Sequence, residues 1–204
     1  MSSRSRASLV VAAALLLLCC GADRPLRAQV ARDSSYAVVV TLGGGYSRYI
    51  APYEELYGIS RDGAAGTLRL MWKPDHLLRV GLESGWTSMY SYTLKDVQTQ
   101  FGKTDANLFL SAIPVLVVFS MEVARGVELF GGTGVYYVNS RTRSFGETVN
   151  VREFSQGWML AASYSVPLSA SFCLSLEAKW LGATQFGDAA VSTQLQARYR
   201  LLEW

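Results

Sequence analysis

The sequence predicts an all-β chain: an eight-stranded antiparallel up-and-down transmembrane β-barrel, preceded by a cleaved signal peptide. Three observations carry that reading. Apolar and other residues alternate with period two along most of the chain after residue 33. The connections between these alternating segments are short and long by turns. Aromatic residues gather toward both ends of the segments, as they do where a strand meets the two faces of a bilayer.

The first 28 residues read as the signal peptide. Arg4 and Arg6 form a positive start, and Ala7 to Cys20 form an apolar run containing Leu15-Leu16-Leu17-Leu18. Small residues follow at Gly21 and Ala22, with a second candidate cleavage site at Ala28-Gln29. The apolar run is shorter than the roughly 20 residues of a spanning helix. Cys19 and Cys20 follow Leu18 and Cys19, where a lipid-attachment site wants Gly, Ala or Ser, so the leader does not read as a lipoprotein signal. Residues 29–204 then form one barrel domain, a length that suits a single core.

Of the 19 basic and 16 acidic residues, Arg4, Arg6, Arg24, Arg27 and Asp23 fall in the leader, which leaves 15 of each sign in the mature chain. A neutral, aromatic-rich chain lacks the basic footprint of a nucleic-acid binder, so no nucleic-acid partner is expected. Cys173 is the single cysteine after the leader, so no disulfide forms within the mature chain.

Eight segments alternate, near 36–48, 65–73, 77–92, 106–119, 127–139, 154–166, 171–181 and 190–202. The first and fourth are the weakest, with apolar residues on both faces at Val38-Val39-Val40 and Val115-Leu116-Val117-Val118. The third sets Leu78, Val80, Leu82 and Trp86 against Arg79, Gly81, Glu83, Gly85 and Thr87. The seventh is the clearest: Phe172, Leu174, Leu176, Ala178 and Trp180 against Ser171, Cys173, Ser175, Glu177 and Lys179. The eighth sets Thr193, Leu195, Ala197, Tyr199 and Leu201 against Gln194, Gln196, Arg198 and Arg200. Residues 49–64, 93–105 and 140–153 make the long connections, 182–189 an intermediate one, and 73–76, 120–126 and 167–170 the short ones. That alternation describes an up-and-down meander with its short turns on one side.

Period two does not say which face is wet. A soluble ligand-binding barrel hides its apolar face, whereas a transmembrane barrel turns it to lipid. The aromatics decide. Tyr46, Tyr49, Trp86, Tyr90, Tyr92, Tyr137, Trp158 and Trp180 lie toward the long connections, and Trp72, Tyr164 and Phe172 lie near the short turns. Tyr46, Trp72, Trp86, Tyr90, Tyr137, Trp158, Tyr164 and Trp180 are therefore assigned to two membrane-interface bands.

With these features the chain resembles the small eight-stranded outer-membrane β-barrels, such as the OmpA transmembrane domain, OmpX and the PorT-like barrels. The resemblance covers residues 34–204. It rests on the meander, on the glycine-rich strands Leu42-Gly43-Gly44-Gly45-Tyr46 and Phe130-Gly131-Gly132-Thr133-Gly134-Val135-Tyr136, and on the aromatic C-terminus. It implies outer-membrane lipid as the surroundings and recognition of the C-terminus by the barrel-assembly machinery. Tyr199, Leu202 and Trp204 are the candidate signal. Counting back by twos from Trp204 gives Leu202 but then Arg200 and Arg198, while Tyr199 and Leu201 fall in the other phase; a bulge or an overlong last strand would reconcile them.

No catalytic, cofactor-binding or metal-ligating set is assigned. His76, the single histidine, follows Lys73-Pro74-Asp75 in a short turn and reads as a turn residue. Phe101-Gly102-Lys103-Thr104 ends like a phosphate loop, but Val97 stands where the first glycine belongs. The glycine clusters relieve crowding in a narrow barrel. The constellation with a physical role is the charged face: Arg69, Arg79, Lys179, Arg198 and Arg200 against Glu83, Glu128 and Glu177. An eight-stranded lumen is filled by its own side chains, so these charges are expected to pair and close it. The outer connections hold Glu54, Glu55, Arg61, Asp62, Lys95, Asp96, Arg141, Arg143 and Glu147 with Tyr53, Tyr57 and Phe145, mixed in sign and naming no partner. The expected function is structural, adhesive or interactive, without enzymatic activity. The alternatives are a soluble lipocalin-like barrel around an apolar ligand and a narrow outer-membrane pore.

Overall fold

The computed structural model describes residues 36–50, 59–74, 77–99, 102–144, 147–183 and 188–204. They form nine antiparallel strands: β1 Ala37–Ile50, β2 Ile59–Ser60, β3 Asp62–Lys73, β4 Leu78–Thr99, β5 Gly102–Ala124, β6 Val127–Ser144, β7 Glu147–Pro167, β8 Phe172–Ala183 and β9 Asp188–Glu203. β1 pairs with β3, successive strands from β3 to β9 pair in chain order, and β9 pairs with β1, so eight long strands close into a ring. The two-residue β2 lies against β4 at Ile59↔Tyr92 and Ser60↔Ser91, just above β3.

The register sets the shape of the ring. A circuit from Val40 through Leu70, Leu82, Val117, Thr133, Trp158, Gly182 and Ala189 returns to β1 at Ile50, ten residues from its start. Ten steps of ~3.3 Å against eight strand spacings of ~4.8 Å give a tilt of about 41°. That lies within the range of transmembrane barrels.

Period two decides what faces where. The exposed set includes Leu42, Leu68, Leu70, Leu82, Val115, Val117, Leu160, Leu176 and Leu195, while Arg69, Glu83, Glu128, Glu177, Lys179, Gln194 and Gln196 are buried inside. A soluble lipocalin-like barrel requires the opposite arrangement, so that alternative is rejected. The same geometry explains the two-faced apolar run of β5: Val115 and Val117 point outward, while Leu116 and Val118 pack in the lumen with Met71, Phe130, Tyr136, Met159 and Leu181. The charged face alone does not predict such an apolar layer inside.

Two expected long connections prove to be mostly strand. β4 runs on to Thr99 and β5 starts at Gly102, while β6 runs to Ser144 and β7 starts at Glu147. Lys95, Asp96, Arg141, Arg143 and Glu147 are thus strand residues. Segments such as Ser140-Arg141-Thr142-Arg143 carry no apolar alternation because both their faces are wet, so period two has nothing to report there. His76, Tyr53, Glu54, Glu55, Tyr57 and Phe145 lie outside the described residues, as do both candidate cleavage sites.

Candidate functional site: the closed lumen and the projecting sheet

The lumen is crossed by a buried ionic quartet. Arg69 on β3 and Glu83 on β4 are register partners, and Glu177 and Lys179 reach in from β8, three strands away around the ring. Arg69 donates from Nε to Glu83 Oε2 at 2.6 Å, and from Nη1 and Nη2 to the two Glu177 oxygens at 2.8 and 3.2 Å. Lys179 Nζ donates to Glu83 Oε1 at 2.5 Å and to Thr67 Oγ1 at 2.9 Å, and lies 3.2 Å from Glu177 Oε1. The Arg69 guanidinium also sits 4.1 Å from the Phe130 ring centroid. Two cations and two carboxylates make the quartet neutral, and every charge has a partner, which is the condition for keeping charges in a dry interior.

A second cluster lies toward the short turns. Glu128 accepts from Arg79 at 2.9 Å, from Arg198 at 2.7 Å and from Ser120 Oγ at 2.6 Å. Arg79 also donates to Glu122 at 3.0 Å. The sequence pattern puts Glu122 in a turn, yet it continues the inward set Leu116, Val118 and Ser120, and that parity is the signal that could have found it. Arg200 does not join either cluster; it pairs with Glu203 at 2.7 Å near the chain end.

The aromatic residues fall in two outward bands. Tyr36, Trp72, Tyr164, Tyr199 and Trp204 are exposed near the short turns, and Tyr46, Trp86, Phe154, Trp158 and Trp180 are exposed toward the other end. Tyr137 stands beside Phe154, ring centroids 5.3 Å apart. On β7 Phe154 stands four residues, about 10 Å, above Trp158. From Tyr36, just before β1, to Tyr46 is ten residues. At ~3.3 Å per residue and the tilt above, that is about 25 Å along the barrel axis, the height of a transmembrane barrel's apolar band. Tyr90 departs from the expectation. A register shift between Ser88 and Tyr90 turns it to the lumen's outer mouth, where it packs 5.1 Å from buried Tyr49.

The C-terminal phase is resolved by a bulge. β9 pairs Ala37↔Glu203 and Val38↔Leu202, but Val39↔Arg200, so Leu201 is the extra residue. With it, Tyr199, Leu202 and Trp204 are all exposed, and the Trp204 ring stacks on Tyr36 at 6.1 Å.

Above the outer aromatic band the barrel is lopsided. β4, β5, β6 and β7 continue as a four-stranded sheet, while β1 and β8 end at Ile50 and Ala183. From Phe154 to the start of β7 is seven residues, ~23 Å of strand. Among the described residues β8 pairs with β7 only from Gly157 onward, which leaves 147–156 of β7 without a partner on that side. Val149, Val151 and Phe154 on this edge are exposed. At the base of the sheet a cavity of about 280 Å³ is lined by Met89, Tyr90, Leu110, Val138, Val151 and Glu153 among others. Among the described residues, no group of His, Cys, Asp and Glu is arranged to hold a metal ion.

No protein-family model matches the chain, and no curated protein sequence matches it. Solved structures do. The chain is similar to a major outer membrane protein from Thermus thermophilus, at 13% identity and a TM-score of 0.52, over 81% of this chain and 99% of that one. It is also similar to Ail, the attachment invasion locus protein of Yersinia pestis, at 12% identity and a TM-score of 0.49, over 82% and 99% of the two chains. The likeness is one of fold: the chain has the closed antiparallel barrel of outer-membrane proteins.

Proposed function

We propose that this chain is an integral outer-membrane protein, exported on a cleaved signal at residues 1–28, that works through the sheet it projects from the membrane. The observation that carries this reading is the contrast between the two parts of the molecule. The lumen is filled by two neutral ionic clusters and an apolar layer, which favours a closed barrel over a narrow pore. Among the described residues, the projecting sheet presents a ten-residue strand edge with exposed Val149, Val151 and Phe154. Unpaired edges of that kind recruit other chains by strand addition. An adhesive or interaction role without enzymatic activity follows, and during biogenesis Tyr199, Leu202 and Trp204 serve as the assembly-machinery signal.

The test begins with carbonate-washed membranes run in SDS with and without boiling. A heat-dependent mobility shift is the expected result, and a soluble, unshifted band would refute the membrane reading. Cells displaying the chain are then compared with cells displaying Val149→Lys/Val151→Lys/Phe154→Lys. Adherence or cell–cell aggregation that depends on the chain and is lost in the variant supports the role; equal behaviour at equal surface levels refutes it.

A further inference from the structure

The outer mouth of the lumen is built differently from the lumen below it. Tyr90, Leu110, Ser140 and Val151 are successive register partners on β4, β5, β6 and β7, so they stand side by side on one rung. Val138 and Glu153 are partners two residues deeper. With Met89 these residues line the cavity of about 280 Å³. The register shift on β4 shapes this wall: Met89 is buried, and Tyr90 turns from the lipid side to the cavity, where its ring packs against buried Tyr49. Bulges that re-aim a side chain in this way recur beside binding and active sites.

Among the described residues, Glu153 is the one charged group in this lining. The carboxylates deeper in the lumen are each neutralised: Glu83 and Glu177 by Arg69 and Lys179, Glu128 by Arg79 and Arg198. Glu153 has no cation and no hydrogen-bond donor among the described residues, and it is exposed at the mouth. A bare carboxylate on the rim of an apolar pocket selects what the pocket takes. A neutral apolar ligand would strip water from the carboxylate and replace it with nothing, and an anion would be repelled. A molecule with an apolar body and one ammonium group matches both parts of the wall, because its N–H groups donate charge-assisted hydrogen bonds to the carboxylate. The volume lies just below the ~300–1,000 Å³ typical of small-molecule sites, which sets a small ligand. We propose that the outer mouth of the lumen binds a small alkyl- or arylalkylammonium ion, its ammonium on Glu153 and its apolar body against Tyr90, Leu110 and Val138. The ionic clusters close the lumen below, so the ligand enters from outside the cell. This site goes beyond the adhesive reading and does not depend on it.

The test uses the full mature chain folded in neutral detergent micelles, with the SDS heat shift confirming the barrel independently. Methionine methyl groups are labelled with carbon-13, and the Met89 signal is assigned through Met89→Leu. Phenethylamine is titrated beside its neutral and anionic counterparts, 2-phenylethanol and 3-phenylpropionate. The expected result is a saturable shift of the Met89 signal by the amine, with the signal of Met121, exposed near the short turns, unmoved. Binding should be at least about fivefold weaker for the alcohol and in Glu153→Gln, and absent for the propionate. Val151→Trp, which fills the mouth, should abolish it. Equal affinity for amine and alcohol, or undiminished affinity in Glu153→Gln, overturns the proposal and leaves a nonspecific apolar pocket. So does an equal shift of Met121, which would mean uptake by the micelle, or a Met89 signal that stays put at millimolar amine. If Glu153→Gln fails to shift on heating, the comparison of the three ligands on the unaltered chain still decides.

Discussion

Removing Arg69 tests the lumen most severely. Arg69→Met keeps the length and apolar stem of the side chain but leaves Glu83 and Glu177 buried with Lys179 as the sole cation. Breaking a buried pair in this way costs about 3–5 kcal/mol. Loss of the Arg69–Phe130 contact adds roughly 1 kcal/mol. Glu177→Gln alone leaves an excess positive charge and costs about 3 kcal/mol by the same argument. The double variant restores neutrality, with Lys179 against Glu83, so its cost should fall about 2 kcal/mol or more below the sum of the singles. The assay is a urea folding equilibrium in lipid vesicles, followed by tryptophan fluorescence and by the unboiled gel band. Additivity within about 0.5 kcal/mol would refute the claim that these four charges act as one neutral unit.

Other outcomes follow from the same structure. A Cβ at Gly157 would stand 2.2 Å from the Tyr136 ring and 2.6 Å from the Gly182 carbonyl oxygen, so Gly157→Val should destabilise the barrel by about 1–3 kcal/mol in that urea assay. In planar bilayers the unaltered chain should show no steady conductance, while Arg69→Ala/Glu83→Ala/Glu177→Ala/Lys179→Ala, if it still shifts on heating, should open resolvable steps. Trp204→Ala should slow barrel assembly in cells, read as the rate at which the heat-shifting band appears, with little change in the urea midpoint.

The sequence made the membrane-embedded part legible and left the projecting part obscure, for a physical reason. Within the bilayer one face meets lipid and the other a crowded lumen, so β8 alternates Leu174, Leu176, Ala178 and Trp180 with Ser175, Glu177 and Lys179. Above the bilayer both faces meet water, and segments such as 140–144 and 147–153 read as loop although they are strand. Bulges are the second blind spot. The shift near Met89 sends Tyr90 inward, and the one at Leu201 rephases Leu202 and Trp204; neither leaves a mark in an alternation pattern except as an apparent fault. Arg200 shares the parity of Arg198 but lies at the chain end, where Glu203 is nearer than any lumen carboxylate. The buried quartet was legible as composition but not as connectivity, because Arg69 and Glu177 meet across the ring rather than along a ladder.

The central claim is that the apolar face is the outer one and touches lipid. A single-cysteine scan from Val191 to Ala197, in a Cys173→Ser background, tests it without disturbing a charge. Each nitroxide-labelled site in vesicles is compared for collision with oxygen and with a water-soluble nickel complex. The account predicts oxygen maxima at Val191, Thr193, Leu195 and Ala197, and minima at Ser192, Gln194 and Gln196. Maxima for the nickel complex at Val191, Leu195 and Ala197 would place that face in water and contradict the account.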